Sequence, residues 1–191
     1  MSFFKTKAVI LKINSNSYLE TKNNGKDLMY TIFSYDFWKI RCFKKFSKKQ
    51  KNLDLWNIIN IEIESKKENS INKMKNVKIL KQFKTEDKNY TTINSFLEFL
   101  SLITKKTPEW FSNKEIFQVI EELVWNEKID ESKIVLSKLK VEDIFWELKI
   151  ENENKTIEKI LKFINKSKIK DILKLKIEEP LLTELKKLIK I

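Results

Sequence analysis

Residues 73–89, KMKNVKILKQFKTEDKN, decide the fold, because the spacing of apolar side chains changes within them. Val77 and Ile79 recur at the two-residue period of a strand, whereas residues 84–89 include no apolar side chain. Further along the chain apolar residues recur at helical spacing, as in Ile116, Phe117 and Ile120. We therefore predict a strand-rich domain over residues 1–84 and an all-helical domain over residues 90–191.

Five segments of the first domain have the alternation or the β-branched content of strands. They are Lys5–Ile13, Asp27–Ser34, Phe37–Phe46, Leu55–Glu64 and Lys73–Phe83. In the first segment, strict alternation places Ala8, Ile10 and Lys12 on one face. A small closed or nearly closed antiparallel barrel buries five such strands economically, so we predict a five-stranded β-barrel.

The second domain contains several signals for the start of a helix. Ser95 with Glu98 and Ser112 with Glu115 have the spacing of capping boxes. Asp130 is placed to cap a helix that begins at Glu131, and Glu179-Pro180 fits the start of the last helix. The predicted fold class is α+β, arranged as two domains.

The residue composition excludes several classes of enzyme. The chain has no His, one Cys and one Gly. Histidine-dependent catalysis, disulfide frameworks, four-cysteine zinc sites and glycine-rich phosphate loops all require more of these residues. We therefore expect no cofactor and no bound metal. No uncharged apolar run reaches about 18 residues, so we expect no spanning helix. The apolar stripes with lysine faces over Ile157–Ile191 could bind a membrane surface, but we interpret them as packing faces of a helical bundle and expect no membrane partner. The free cysteine and the lack of an export signal predict a cytoplasmic protein.

The positive charge is distributed unevenly along the chain. The formal net charge is +12, of which residues 1–88 carry +11 and residues 89–191 carry +1. A uniformly lysine-rich composition would spread the charge over both halves. The asymmetry indicates that the first domain binds a polyanion.

A basic and aromatic cluster covers residues 38–51, WKIRCFKKFSKKQK, with seven positive residues, three aromatic residues and no acidic one. Ammonium groups pair with phosphates, and exposed aromatic rings stack on bases, so this combination is typical of single-stranded nucleic-acid binding. On a strand, Lys39, Arg41 and Phe43 share one face, opposite Trp38, Ile40 and Cys42. The predicted nucleic-acid-binding residues are Lys39, Arg41, Phe43, Lys44, Lys45, Phe46, Lys48, Lys49 and Lys51. The alternative is a solvated basic edge strand, on which lysines prevent strand pairing.

Two other motifs carry less information. Glu64-x-Lys66, preceded by Asp54, resembles the metal-binding arm of Mg²⁺-dependent nucleases, but Glu-x-Lys occurs seven times in this chain. Cys42 has cationic neighbours that could activate a thiol, yet without a histidine base we interpret it as a core residue. We predict that the protein is not an enzyme.

The order of these segments resembles the bacterial recombination mediator RecO family. The resemblance rests on Lys7–Lys12, Tyr18-Leu19-Glu20, Leu28–Ser34, Ile40–Lys48, Phe96–Leu100 and Ile116–Leu123. It implies an OB-fold-like N-terminal barrel followed by a helical domain. The four cysteines that hold zinc in many members are missing here, so the resemblance implies no zinc site.

The resemblance also implies a non-enzymatic function in recombinational DNA repair. Such proteins bind single-stranded and duplex DNA and anneal complementary strands. With RecR they load RecA onto strands coated by single-strand binding protein, so RecR and that protein become expected partners. Two other functions stay open: an OB-fold module that binds RNA or acts in translation, and a lysine-rich protein-interaction domain with no nucleic-acid role.

Overall fold

The computed structural model describes residues 2–14, 27–37, 39–45, 53–65, 72–108 and 113–189. Within these residues five strands precede six helices, which confirms the predicted α+β class. The strands are β1 (Ser2–Asn14), β2 (Asp27–Ser34), β3 (Lys39–Lys45), β4 (Ile58–Ser65) and β5 (Asn72–Lys81). The helices are α1 (Tyr90–Lys106), α2 (Lys114–Trp125), α3 (Glu131–Ile144), α4 (Lys155–Lys166), α5 (Ile169–Ile172) and α6 (Glu179–Lys187).

The chain forms two compact units. The first comprises Met1–Phe83 together with Thr107–Lys114, and the second comprises Lys84–Lys106 together with Glu115–Ile191. The first unit contains all five strands, and it also includes the short segment between α1 and α2.

The five strands form one sheet with the order β1-β2-β3-β5-β4, and β4 is in turn hydrogen-bonded to β1. Four of the pairings are antiparallel, but β3 meets β5 in parallel, with Cys42 opposite Asn72 and Phe43 opposite Lys73. The prediction of a wholly antiparallel arrangement is therefore wrong at this one place. The reason is geometric: each antiparallel pairing reverses the strand direction, so a ring of five strands requires at least one parallel pair.

The inner face of the sheet is apolar and continuous. Its buried residues are Ala8, Ile10, Tyr30, Ile32, Ile40, Cys42, Ile59, Ile61, Ile63 and Met74, and Leu53, which precedes β4, belongs to the same core. Ile13 packs against this core, whereas strict alternation assigned that side to Lys12. An irregularity in the β1·β2 pairing between Ile10 and Lys12 shifts the alternation by one residue, so Lys12 is exposed.

A second irregularity lies in β5. Asn76 has a φ of 48°, and the β4·β5 register shifts between Asn60 and Glu62. As a result Met74 and Val77, which are three residues apart, both pack toward the same core.

The second unit packs around α3. This helix is buried on all sides from Ile134 to Glu142 and contacts α1, α4, α5 and α6. Two lysines lie in the buried stretch, and their ammonium groups are paired: Lys138 with Glu98 at 2.7 Å and Lys140 with Asp143 at 2.8 Å. Pairing offsets the cost of removing these charges from water.

The helix starts follow the predicted signals in part. Asp130 caps α3, since its Oδ1 accepts a hydrogen bond from the Lys133 amide at 3.0 Å. The capping box at Ser95 is wrong, because α1 begins at Tyr90 and Ser95 lies inside it. Asn89 takes the capping role instead and accepts from the Thr92 amide at 2.8 Å, while Ser95 donates to Glu131 at 3.2 Å.

A Schellman motif ends α3. The Trp146 amide donates to the Asp143 carbonyl, and the Glu147 amide donates to the Glu142 carbonyl, each at 2.9 Å. Trp146 occupies the left-handed position with a φ of 60°, and its side chain is 95% exposed. Within the described residues, none of the helices is both long enough and apolar enough to cross a bilayer.

Candidate nucleic-acid interface

Strand β3 separates its side chains by face. Lys39, Arg41, Phe43 and Lys45 point outward, while Ile40, Cys42 and Lys44 point inward. The face predicted for Lys39, Arg41 and Phe43 is confirmed. Arg41 and Lys45 are exposed, and Phe43 is half-buried.

The neighbours of β3 extend this outward face. Met29 lies opposite Phe43 on β2, and Lys73 lies opposite Phe43 on β5. Phe43 therefore lies between an apolar side chain and a cation, with the exposed Arg41 two residues earlier on its own strand. We call Arg41, Phe43, Lys45, Met29 and Lys73 the outer face.

Lys39 differs from the other outward cations. Its Nζ donates a hydrogen bond of 2.5 Å to the backbone carbonyl oxygen of Thr107, within the same unit. This contact holds the ammonium group against the protein. Lys39 therefore has a structural contact in addition to its predicted role.

A groove opens where β3 and β5 separate. It has a volume of about 450 Å³. Four lysines line it, namely Lys44, Lys45, Lys73 and Lys75, together with Asn76 and the apolar residues Leu53, Met74, Val77 and Ile79. We call this cavity the β3–β5 groove. Its described lining includes no acidic residue.

Lys44 has an unusual environment for a lysine. It belongs to β3 rather than to the loop that follows, its side chain points inward, and it is only 8% exposed. Burial lowers the pKa of its ammonium group below the ordinary lysine value.

Sequence reasoning missed Lys73 and Lys75. Both flank the buried Met74 near the start of β5, and only the parallel pairing of β3 with β5 places them beside β3. The positive charge of Lys75 already has partners within the protein, because its Nζ lies 2.6 Å from Glu64 Oε2 and 5.2 Å from the centre of the Phe3 ring. The two-residue spacing of Lys73 and Lys75, which places both on one face of a strand, was the available signal.

Four predicted residues, Phe46, Lys48, Lys49 and Lys51, lie outside the described residues, as does Trp38. The chain that carries the first four joins Lys45 to Leu53, and both of these residues line the β3–β5 groove.

The two minor motifs have different outcomes. Glu64 is 3% exposed and paired with Lys75, and Lys66 lies outside the described residues. The part of the chain that the structure describes contains no group of three or more His, Cys, Asp or Glu residues arranged to hold a metal ion. Cys42 is fully buried in the sheet core, as predicted, and burial raises the pKa of its thiol.

No protein-family model matches the chain, and no curated protein matches its sequence. The function must therefore be argued from the site itself.

Proposed function

We propose that this chain is a non-enzymatic nucleic-acid-binding protein, and that the outer face of its sheet binds single-stranded DNA. One observation carries the proposal. Arg41 and Lys45 are exposed on the same face of β3 as the half-buried ring of Phe43. Cations that pair with phosphates beside a ring that stacks on bases are what a single strand requires.

The proposal extends to the type of fold and the cellular role. The strand order β1-β2-β3-β5-β4 supports an OB-fold-like barrel, whose strands β2 and β3 commonly form the oligonucleotide-binding face. Together with the helices that follow, it supports a RecO-like function: annealing of complementary strands, and loading of RecA with RecR. Annealing of two labelled complementary oligonucleotides tests this part separately from binding.

Salt dependence of binding tests the proposal. The affinity for a fluorescent oligothymidylate is measured by anisotropy from low to high salt, for the parent and for R41A/K45A. Each phosphate contact contributes about −0.7 to the slope of log K against log salt for single strands. If both side chains contact phosphates, the double variant flattens the slope by about 1.4.

The matched control is K166A/K176A, which removes two exposed charges from the helical unit. We expect the slope of this control to equal that of the parent. F43A should weaken binding by roughly 1–3 kcal/mol per stacked base and leave the slope nearly unchanged. If R41A/K45A binds as the parent does at every salt concentration, the outer face does not bind single-stranded DNA and is a solvated edge strand.

A further inference from the structure

We propose that the β3–β5 groove receives one unpaired base of the bound strand, with the adjoining phosphates held by the lysines at its rim. This inference rests on the proposed function and deepens it, because it assigns a second contact region and a preference for single strands. The apolar floor of the groove, formed by Met74, Val77 and Ile79, packs toward the inside of the sheet, whereas Arg41, Phe43 and Met29 lie on the outer face. Lys45 and Lys73 belong to both regions.

The composition of the groove favours a ligand that is partly apolar. Met74, Val77 and Ile79 belong to or pack against the sheet core, and they also line the groove. The pairing of β3 with β5 extends only over Cys42–Asn72 and Phe43–Lys73. Val77 and Ile79 are partly exposed in the groove, whereas Met74 is buried beneath them. The groove volume of about 450 Å³ lies within the usual range of small-ligand sites.

The charge of the groove favours an anion attached to that apolar group. Four lysines line the groove, of which Lys75 is paired with Glu64, and the described lining includes no carboxylate. Lys44 lies on the inward side of β3 and Lys73 on the outward side, so cations flank the apolar floor from two directions. A nucleotide has the matching chemistry, because it joins a flat apolar base to a phosphate. A phosphate alone would make no contact with the apolar floor of the groove.

The groove also discriminates between single and double strands. A base inside a duplex is stacked on both faces and paired at its edge, so it reaches an apolar floor only after it leaves the helix. An unpaired base pays less of this cost. A duplex is therefore expected to contact the outer face and to leave the floor of the groove empty.

Methionine methyl groups report on the two regions separately. The chain has three methionines, of which Met29 lies on the outer face beside Phe43 and Met74 lies on the floor of the groove. The full chain is labelled with ¹³C at the methionine methyl groups, and M29L and M74L assign the signals. Three ligands of equal length are then added: oligothymidylate, an abasic oligomer with the same sugar-phosphate backbone, and duplex DNA.

We expect oligothymidylate to shift both the Met29 and the Met74 signals. The abasic oligomer and the duplex should leave Met74 unshifted, since neither inserts a base. A Met29 shift with an unshifted Met74 in oligothymidylate would overturn the groove assignment and leave the proposed function standing. Equal Met74 shifts with all three ligands would also overturn it. No binding of any oligomer would refute the proposed function itself.

Discussion

Lys106 is predicted to stabilise the helical unit strongly, and the stability that is lost when Lys106 is replaced should depend on pH. Its Nζ lies 2.9 Å from Glu142 Oε2 and 2.5 Å from Glu147 Oε2. Glu142 is only 3% exposed, and burial raises the pKa of its carboxyl group despite the opposing effect of Lys106. For Lys106, burial lowers the pKa, but the hydrogen bonds to the two carboxylates outweigh it and raise the pKa overall.

The variant K106M keeps most of the side-chain volume and removes the charge. It leaves the Glu142 carboxylate buried without its cation, a change that costs about 3–5 kcal/mol in comparable pairs. The direction with pH follows from linkage. Because the pKa of Glu142 is raised on folding, the unfolding free energy falls as pH rises from the unfolded value of about 4.3 through the folded value. Without Lys106 the pKa of Glu142 rises further, so K106M should lose more unfolding free energy at pH 7 than at pH 5.

Urea unfolding followed by circular dichroism at 222 nm measures this loss at both pH values. K106M/E142Q should recover much of the stability at pH 7, since the buried group is then neutral. The control K174M breaks an ion pair between two exposed side chains, Lys174 and Asp171, and should cause no measurable loss at either pH. An equal loss for K106M at pH 5 and pH 7, or no rescue by E142Q, would refute the assigned role of Glu142.

Three further predictions concern local structure. W146G should raise the unfolding free energy in urea titration by up to about 1 kcal/mol, because the left-handed conformation costs a non-glycine residue roughly 1–2 kcal/mol, more than the entropy that glycine adds to the unfolded chain, and the exposed indole buries little; a loss of stability would contradict this. D130A should lower it by about 1 kcal/mol through loss of the cap on the Lys133 amide, and an unchanged transition midpoint would show that the cap contributes nothing. Cys42 should react with a thiol reagent only when the sheet opens, since it is fully buried with a raised pKa, so rapid labelling of the native protein would disagree with its placement.

The spacing of apolar residues along the chain was sufficient to identify most of the strands and helices. Alternation over Ile59, Ile61 and Ile63 placed the inner face of β4 correctly, and the helical stripe from Ile116 to Val124 placed the buried face of α2. Both patterns depend on neighbours along the chain, so they are visible in the sequence. The change of period after residue 83 likewise predicted where strands give way to helices.

The candidate site was predictable only in part, because part of it depends on partners that are distant in sequence. Alternation predicted that Lys39, Arg41 and Phe43 share a face. It did not predict that Thr107 binds the Lys39 ammonium group, since 68 residues separate the two.

The shape and charge of the β3–β5 groove were decided by the tertiary structure alone. A ring of five strands needs at least one parallel pair, and in this protein that pair is β3 with β5. The pairing brings two lysines of β5 beside two lysines of β3, namely Lys73 and Lys75 beside Lys44 and Lys45. The register irregularity at Asn76 then directs both Met74 and Val77 to the floor. The sequence alone determined the composition and the spacing of apolar residues, and hence the identity of the elements. The pairing of the strands was decided only in the tertiary structure, because each strand gains its partners when all five are buried together.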